Sequence, residues 1–256
     1  MEQLIELVKS TKKIIFNEEL SSAVIEKGLA DYVTKVDTEV QSYLKEKLYQ
    51  LRPDTLFMGE EGEHKNLDKN KPCWILDPID GTTNLIHHYN TSAVSLALLE
   101  NGKITKGIVY NPFTEQLFTA EYKKGAYLNG KRISVSTRER QNDWLISIGT
   151  SPYEKDRADY LFELFKRIYK KTTDIRRSGS AALDLCYLAC GMTDGYLEQN
   201  LKPWDYAAGS LILEEAGGRV TTWNGSEIDF YKNCDILAGT PKTYRMLLNE
   251  ISKTLD

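Results

Sequence analysis

Trp74–Asn84 reads W-I-L-D-P-I-D-G-T-T-N. Trp74, Ile75 and Leu76 form the end of a buried strand. Two acids follow, Asp77 and Asp80, in a segment interrupted by Pro78 and closed by Gly81. On a regular strand, residues three apart point to opposite faces. Pro78 fixes its own φ and removes a donor, so the chain is expected to turn here, and a turn brings i and i+3 together. Two carboxylates side by side repel unless a proton or a cation lies between them. Gly81-Thr82-Thr83-Asn84 then offers small residues and backbone N–H groups, a helix start of the kind that cradles an anion. A cation site beside an anion site is the layout of metal-assisted phosphate chemistry. The same residues also read as an Asx-rich turn with both acids solvated.

The chain around this stretch has 256 residues, 41% hydrophobic and 27% charged, enough for one large or two modest domains with a real core. A net charge of −4 gives no electrostatic case for nucleic acid or an anionic membrane as partner. An acidic chain that handles phosphate must supply positive charge locally, and bound metal ions do that. Cys73, Cys186, Cys190 and Cys234 contain no C-x-x-C, and with three His a zinc site is poorly supported. Free buried thiols fit a reducing cytosol. The opening M-E-Q-L-I-E-L-V-K carries acids inside its apolar pattern and is no signal peptide. No run reaches the roughly 20 apolar residues of a membrane span. A cytoplasmic protein is expected.

Towards the N-terminus, Leu4, Leu7, Val8, Thr11, Ile14 and Ile15 recur at helical spacing and predict one amphipathic helix. D-Y-V-T-K-V-D over Asp31–Asp37 leads into a second, with Val40, Tyr43, Leu44, Leu48 and Leu51 as its stripe, and Asp37 reads as its N-cap. Thr55–Met58 is a short buried strand entering G-E-E-G, where Glu60 and Glu61 read as a solvated loop. Glu63–Lys71 is charged, a candidate flap.

Towards the C-terminus the period becomes two. Strands 93–99 and 104–110 flank Asn101-Gly102, a hairpin signal, and 117–121 and 126–128 extend the meander to Asn129-Gly130. The first half, 1–140, therefore reads as helices on a mostly antiparallel sheet. From Trp144 strands and helices alternate: strands at 145–148, 173–176, 194–198, 220–223 and 236–238, with helices at 156–170, 181–189, 206–216 and from Pro241. That alternation predicts an α/β half over 141–256. Asp205, just before the helix expected at Tyr206, reads as an N-cap.

The eleven residues of Trp74–Asn84 resemble the signature of the inositol monophosphatase family, Mg-dependent phosphatases acting on small phosphate esters. D-x-V-T-x-x-D over 31–37, G-E-E over 59–61 and P-W-D-Y-A-A-G-S-L-I-L-E-E-A-G-G over 203–218 resemble further family segments, in the family's order. The resemblance implies a layered α-β-α-β-α sandwich of the sugar-phosphatase type, α+β and α/β in character, with the active site between the halves, and usually a homodimer. It implies two or three Mg²⁺ and lithium sensitivity. Glu60, Asp77 and the Ile79 carbonyl would hold one ion, Asp77, Asp80 and Asp205 a second, and a weaker third would lie near Glu60 and Asp37. Asp37, Thr82 and Glu60 would be catalytic, orienting water for direct attack on phosphorus. Asp80, Gly81, Thr82, Ala181 and Glu198 would contact substrate. Hard oxygen ligands suit Mg²⁺, and two such ions stabilise both oxygens of an in-line displacement.

On the substrate side, R-R-S-G-S-A-A-L-D-L-C from Arg176 opens a helix with small residues, which also serve tight packing. Glu198 in D-G-Y-L-E suits a polyol, or is an ordinary strand-end acid; Gly149-Thr150-Ser151 is expected near the pocket. Arg176 and Lys202 would add charge for a second phosphate, leaving room for fructose 1,6-bisphosphate or NADP, which relatives use. His87 and His88 are consecutive and read as surface residues. The leading reading is a Mg-dependent phosphomonoesterase acting on inositol 1-phosphate or a similar small sugar or polyol phosphate. A regulatory protein that keeps the site but acts through a partner is the second. A two-metal nuclease would want a basic, aromatic-lined track, and the chain shows none.

Overall fold

The structure, a computed structural model, describes residues 1–17, 20, 24–28, 31–62, 67–152 and 154–255. The expected flap falls partly outside them, at 63–66. Among the described residues, β1 (Val24–Gly28) and β2 (Asp31–Thr34) form a two-stranded sheet. A seven-stranded sheet runs in order β3 (Leu56–Gly59), β4 (Cys73–Asp80), β5 (Ala93–Glu100), β6 (Lys103–Asn111), β7 (Gln116–Glu121), β8 (Gly125–Leu128) and β9 (Lys131–Arg132). β3 and β4 are parallel and the rest antiparallel. Asn101 and Gly102 both have positive φ, 52° and 75°, as a two-residue hairpin turn requires.

A second, five-stranded sheet has the order β11 (Asp174–Arg176), β10 (Leu145–Ile148), β12 (Gly195–Leu201), β14 (Cys234–Gly239), β13 (Arg219–Thr222). The strand–helix alternation yields only a partly parallel sheet. β10 runs parallel to β11 and β12, but β14 is antiparallel to both its neighbours.

Side-chain alternation on β4 separates the layers. Trp74 and Leu76 meet Val8 of α1 (Glu2–Ser10) and Val40, Leu44 and Leu48 of α3 (Lys35–Leu51). Cys73 and Ile75 join the core that contains Leu185 of α6 (Ala181–Ala189) and Ala208 and Ile212 of α7 (Pro203–Glu215). Tyr196, Ile236 and Ala238 of the small sheet belong to that same core. On the small sheet's far side, Ile146, Leu197 and Leu237 pack with Leu164 and Phe165 of α5 (Ala158–Tyr169) and Leu247 and Ile251 of α8 (Pro241–Leu255). The stack is thus α-β-α-β-α, as expected. Helices α6 and α7, from the second half of the chain, form the middle layer against both sheets.

Two expectations change. The first helix ends at Ser10 and a second, α2 (Lys12–Ile15), begins after Thr11, whose buried hydroxyl bonds the Val8 carbonyl at 2.6 Å. A Thr hydroxyl bonded back to its own helix competes with the regular ladder. Pro78 produces no turn: β4 continues through it to Asp80 with all eight residues buried.

Candidate functional site

The strand survives Pro78 because it bulges there. Asp77 pairs with Ser95 and Asp80 with Ala93, so three steps on β4 oppose two on β5. A bulge inserts one residue and is one of the few places a proline fits inside a sheet. The extra residue reverses the alternation, and Asp77 and Asp80 line the same cavity. The Asp77 Oδ1 atom accepts the Ile79 N–H at 2.9 Å, which closes the bulge. Gly81 then takes φ 95°, and the short helix α4 (Thr82–Ile86) starts.

The other carboxylates arrive by separate routes. Glu60 follows β3, whose ladder continues through the Glu60 N–H to the Leu76 carbonyl at 3.1 Å, beside Asp77. Asp205 sits in the first turn of α7; the Ser95 hydroxyl, on the residue opposite Asp77, bonds the Trp204 carbonyl at 3.1 Å and holds that turn over β4. Asp37 lies in the first turn of α3, below Thr82: the Thr82 hydroxyl oxygen is 2.9 Å from Asp37 Oδ1 and 3.0 Å from the Ile79 carbonyl oxygen, so its one proton serves either. Neither Asp37 nor Asp205 is an N-cap. Thr34 and Lys202 take that place, and each Asp is three residues further in than expected, at N3.

Glu60, Asp77, Ile79, Asp80, Gly81, Thr82, Ala181, Glu198 and Asp205 all line one cleft between the two sheets, while Asp37 stands just behind Thr82. Glu198 accepts the Tyr196 hydroxyl at 2.6 Å. Opposite it is Gly149, where a Cβ would stand 1.7 Å from the Glu198 carboxyl carbon. Pro152 lines the cleft with Gly149, whereas Thr150 does not. Arg177 is the cation in the lining, in place of the expected Arg176 and Lys202. Arg176 is exposed and ion-paired with Asp174 on β11. β11 ends at Arg176, and Arg177 is the first residue of the turn that follows, a boundary the sequence does not mark. His87 and His88 are exposed. The cysteines are free, with Cys73, Cys186 and Cys234 buried.

Burial first, then the charges of Glu60, Asp80, Asp205 and Asp37, holds the Asp77 carboxyl well above the usual carboxylate range. Asp205 is raised by burial and by Asp80. Burial lifts Asp80 to about 7 even though the Ser180 hydroxyl and the Ala182 N–H donate to its Oδ2 at 2.6 and 2.7 Å. Burial also raises Asp37 and Glu198. Among the described residues no three His, Cys, Asp or Glu side chains stand ready-made as a metal-ligand group. Asp77, Asp80 and Asp205 each turn one oxygen to a protein donor at 2.6–2.9 Å. Each has a second oxygen for a ligand. Clustered carboxylates that repel one another in a buried cleft are a donor set suited to hard divalent cations.

Residues 1–255 match the model of the Inositol monophosphatase family. The inositol-1-monophosphatase of Rhizobium meliloti is 41% identical over 211 residues, 82% of this chain and 79% of that protein. The Nus factor SuhB of Xylella fastidiosa is 37% identical over 229 residues, 88% of this chain and 82% of that protein. Among solved structures, the extragenic suppressor protein suhB of Bartonella henselae superposes with a TM-score of 0.91 at 36% identity, covering 98% of this chain and 97% of that one.

Proposed function

The chain belongs to the inositol monophosphatase family, and from that premise we propose that it is a Mg-dependent phosphomonoesterase hydrolysing inositol 1-phosphate or a similar small polyol phosphate. The observation that carries this reading is the gathering of Glu60, Asp77, Asp80 and Asp205 around one cleft beside the Gly81–Thr82 backbone. Glu60, Asp77 and the Ile79 carbonyl would hold one Mg²⁺ and Asp77, Asp80 and Asp205 a second, with a weaker third site near Glu60 and Asp37. When bound, Mg²⁺ supplies the positive charge that stabilises the entering and leaving oxygens of an in-line displacement.

The chain's own groups do the rest. The Thr82 hydroxyl donates to Asp37 Oδ1, which leaves its oxygen lone pair to accept from the attacking water. Burial favours a protonated Asp37, and the Thr34 N–H and hydroxyl offset that by donating to its Oδ2, at 2.8 and 2.6 Å. Backbone N–H groups of Gly81 and Thr82 hold the phosphate. As the O–P bond forms, the attacking water gives up one proton to solvent, and the ester oxygen departs with its bonding pair and takes a proton from solvent. Glu198 and the Ala181 backbone accept and donate hydrogen bonds to polyol hydroxyls. Arg177 leaves room for fructose 1,6-bisphosphate or NADP as alternatives.

A regulatory role is the second reading, and the name of the Xylella relative favours it. One assay separates the two. Phosphate release is measured from inositol 1-phosphate, fructose 1,6-bisphosphate and NADP, with Mg²⁺ and with EDTA. The phosphatase reading expects Mg-dependent release, largest from inositol 1-phosphate; no release from any of the three overturns it.

A further inference from the structure

Asp184 is a carboxyl that the proposed chemistry does not use, yet it is only 2% exposed. It lies in the first turn of α6, and its Oδ2 accepts the Ser178 hydroxyl at 2.7 Å. The same Ser178 oxygen accepts the Ser180 N–H at 3.1 Å, so one side chain folds the 177–180 turn back onto the helix. Asn84 grips the turn from the other side, with Nδ2 2.9 Å from the Ser178 carbonyl oxygen and 2.6 Å from that of Thr91. Between these anchors, Gly179 takes φ 86°, a region that favours glycine. Arg177 and Gly179 both line the cleft, and Ser180 donates to Asp80.

We infer that Asp184 is a positioning residue: through the Ser178 hydroxyl it sets the backbone that presents Arg177 and Gly179 to the substrate and Ser180 to Asp80. Burying a carboxyl costs stability that an apolar residue at this helix position would not. What the acid provides is an acceptor beneath a turn that Asn84 and Asp80 tie to the first half of the chain. Burial, with the Glu198 and Asp80 charges added, pushes Asp184 up to about 8 against the pull of the Ser178 and Ser147 hydroxyls. Asparagine keeps an acceptor oxygen towards the Ser178 hydroxyl and is the conservative variant.

The kinetic part of this inference rests on the phosphatase reading; the backbone part does not, and the test reads both. Amide hydrogen exchange is followed by mass spectrometry in peptides covering 176–182 of the full chain, for wild type, Asp184→Asn, Asp184→Leu and Ser178→Ala. Removing either end of the bond, in Asp184→Leu or Ser178→Ala, is expected to speed exchange there by about tenfold or more, while Asp184→Asn stays near wild type. On inositol 1-phosphate the same two variants should raise KM about tenfold with kcat within about threefold. Wild-type exchange in folded Asp184→Leu overturns the inference whether or not the protein is a phosphatase. If that variant does not fold, Ser178→Ala decides alone: faster exchange supports the inference and wild-type exchange overturns it.

Discussion

Asp37 and Asp205 occupy the same position on two unrelated helices: each is at N3, and each has its Oδ2 2.8 Å from the backbone nitrogen of the N-cap residue, Thr34 or Lys202. A carboxylate there satisfies one of the free N–H groups at a helix start and sits at the positive end of the dipole. It is also locked in rotamer, one oxygen bonded inward. The two helix starts, 168 residues apart in sequence, converge from opposite layers on β4. Helix capping and the placing of these two carboxylates are thus one arrangement.

Replacing Asp80 by asparagine should abolish turnover without unfolding the chain. An asparagine oxygen still accepts from the Ser180 hydroxyl and the Ala182 N–H, so the anchor to α6 persists. The lost negative charge is what the proposed site needs. Activity should fall by more than the roughly 10–100-fold that loss of an outer partner costs at metal sites. Steady-state phosphate release alongside circular dichroism checks both halves, and a folded, fully active variant contradicts the scheme.

The raised acids give the metal-free protein a characteristic pH dependence. Asp80 moves from an ordinary 3.8 to about 7 on folding. The native state binds that proton more tightly than the unfolded chain, so the stability it contributes is complete below about pH 4 and is lost as pH rises through about 7. Asp77 and Asp205 shift in the same direction. In EDTA, Tm should therefore fall between pH 5 and pH 8, the fall should be smaller in Asp80→Asn, and Mg²⁺ should restore Tm most at pH 8. An equal pH response in wild type and variant would show that the carboxylates do not crowd as described.

Gly149 should control substrate affinity. A Cβ there would overlap the Glu198 carboxyl, at 1.7–2.2 Å. The Glu198 carboxyl would have to swing away, losing the bond from the buried Tyr196 hydroxyl together with its hydrogen bonds to a polyol. A bond to a charged group is worth about 1.5–3 kcal/mol, so Gly149→Ala should raise KM by ~10–100-fold with kcat little changed, and lower Tm as the Tyr196 hydroxyl loses its partner. An unaltered KM would remove Glu198 from the substrate pocket.

Much of this was legible in the chain, and the gaps have physical causes. W-I-L-D-P-I-D-G announced a buried strand carrying two acids, and Asn101-Gly102 and Asn129-Gly130 announced their turns, because local φ/ψ demands choose those residues. How Asp77 and Asp80 come to share a face was not legible. A period of two puts them apart, and only the pairing with Ser95 and Ala93 on the neighbouring strand reveals the extra residue. Both helices, the one expected after Asp37 and the one expected at Tyr206, start three residues earlier than the sequence suggests. Lys35-Val36 and Pro203-Trp204 look like flanking loop until their backbone bonds are known. Asp184 carried a signal that went unread: an acid inside A-A-L-D-L-C, with apolar neighbours on both sides, must be buried with a partner.

The most direct measurement is an anomalous difference map from crystals grown with Mn²⁺ in place of Mg²⁺. Two strong peaks are predicted, one touching Glu60 and Asp77, the other touching Asp77, Asp80 and Asp205. A map with no peak among those four side chains, or with Mn²⁺ only elsewhere, would contradict the account.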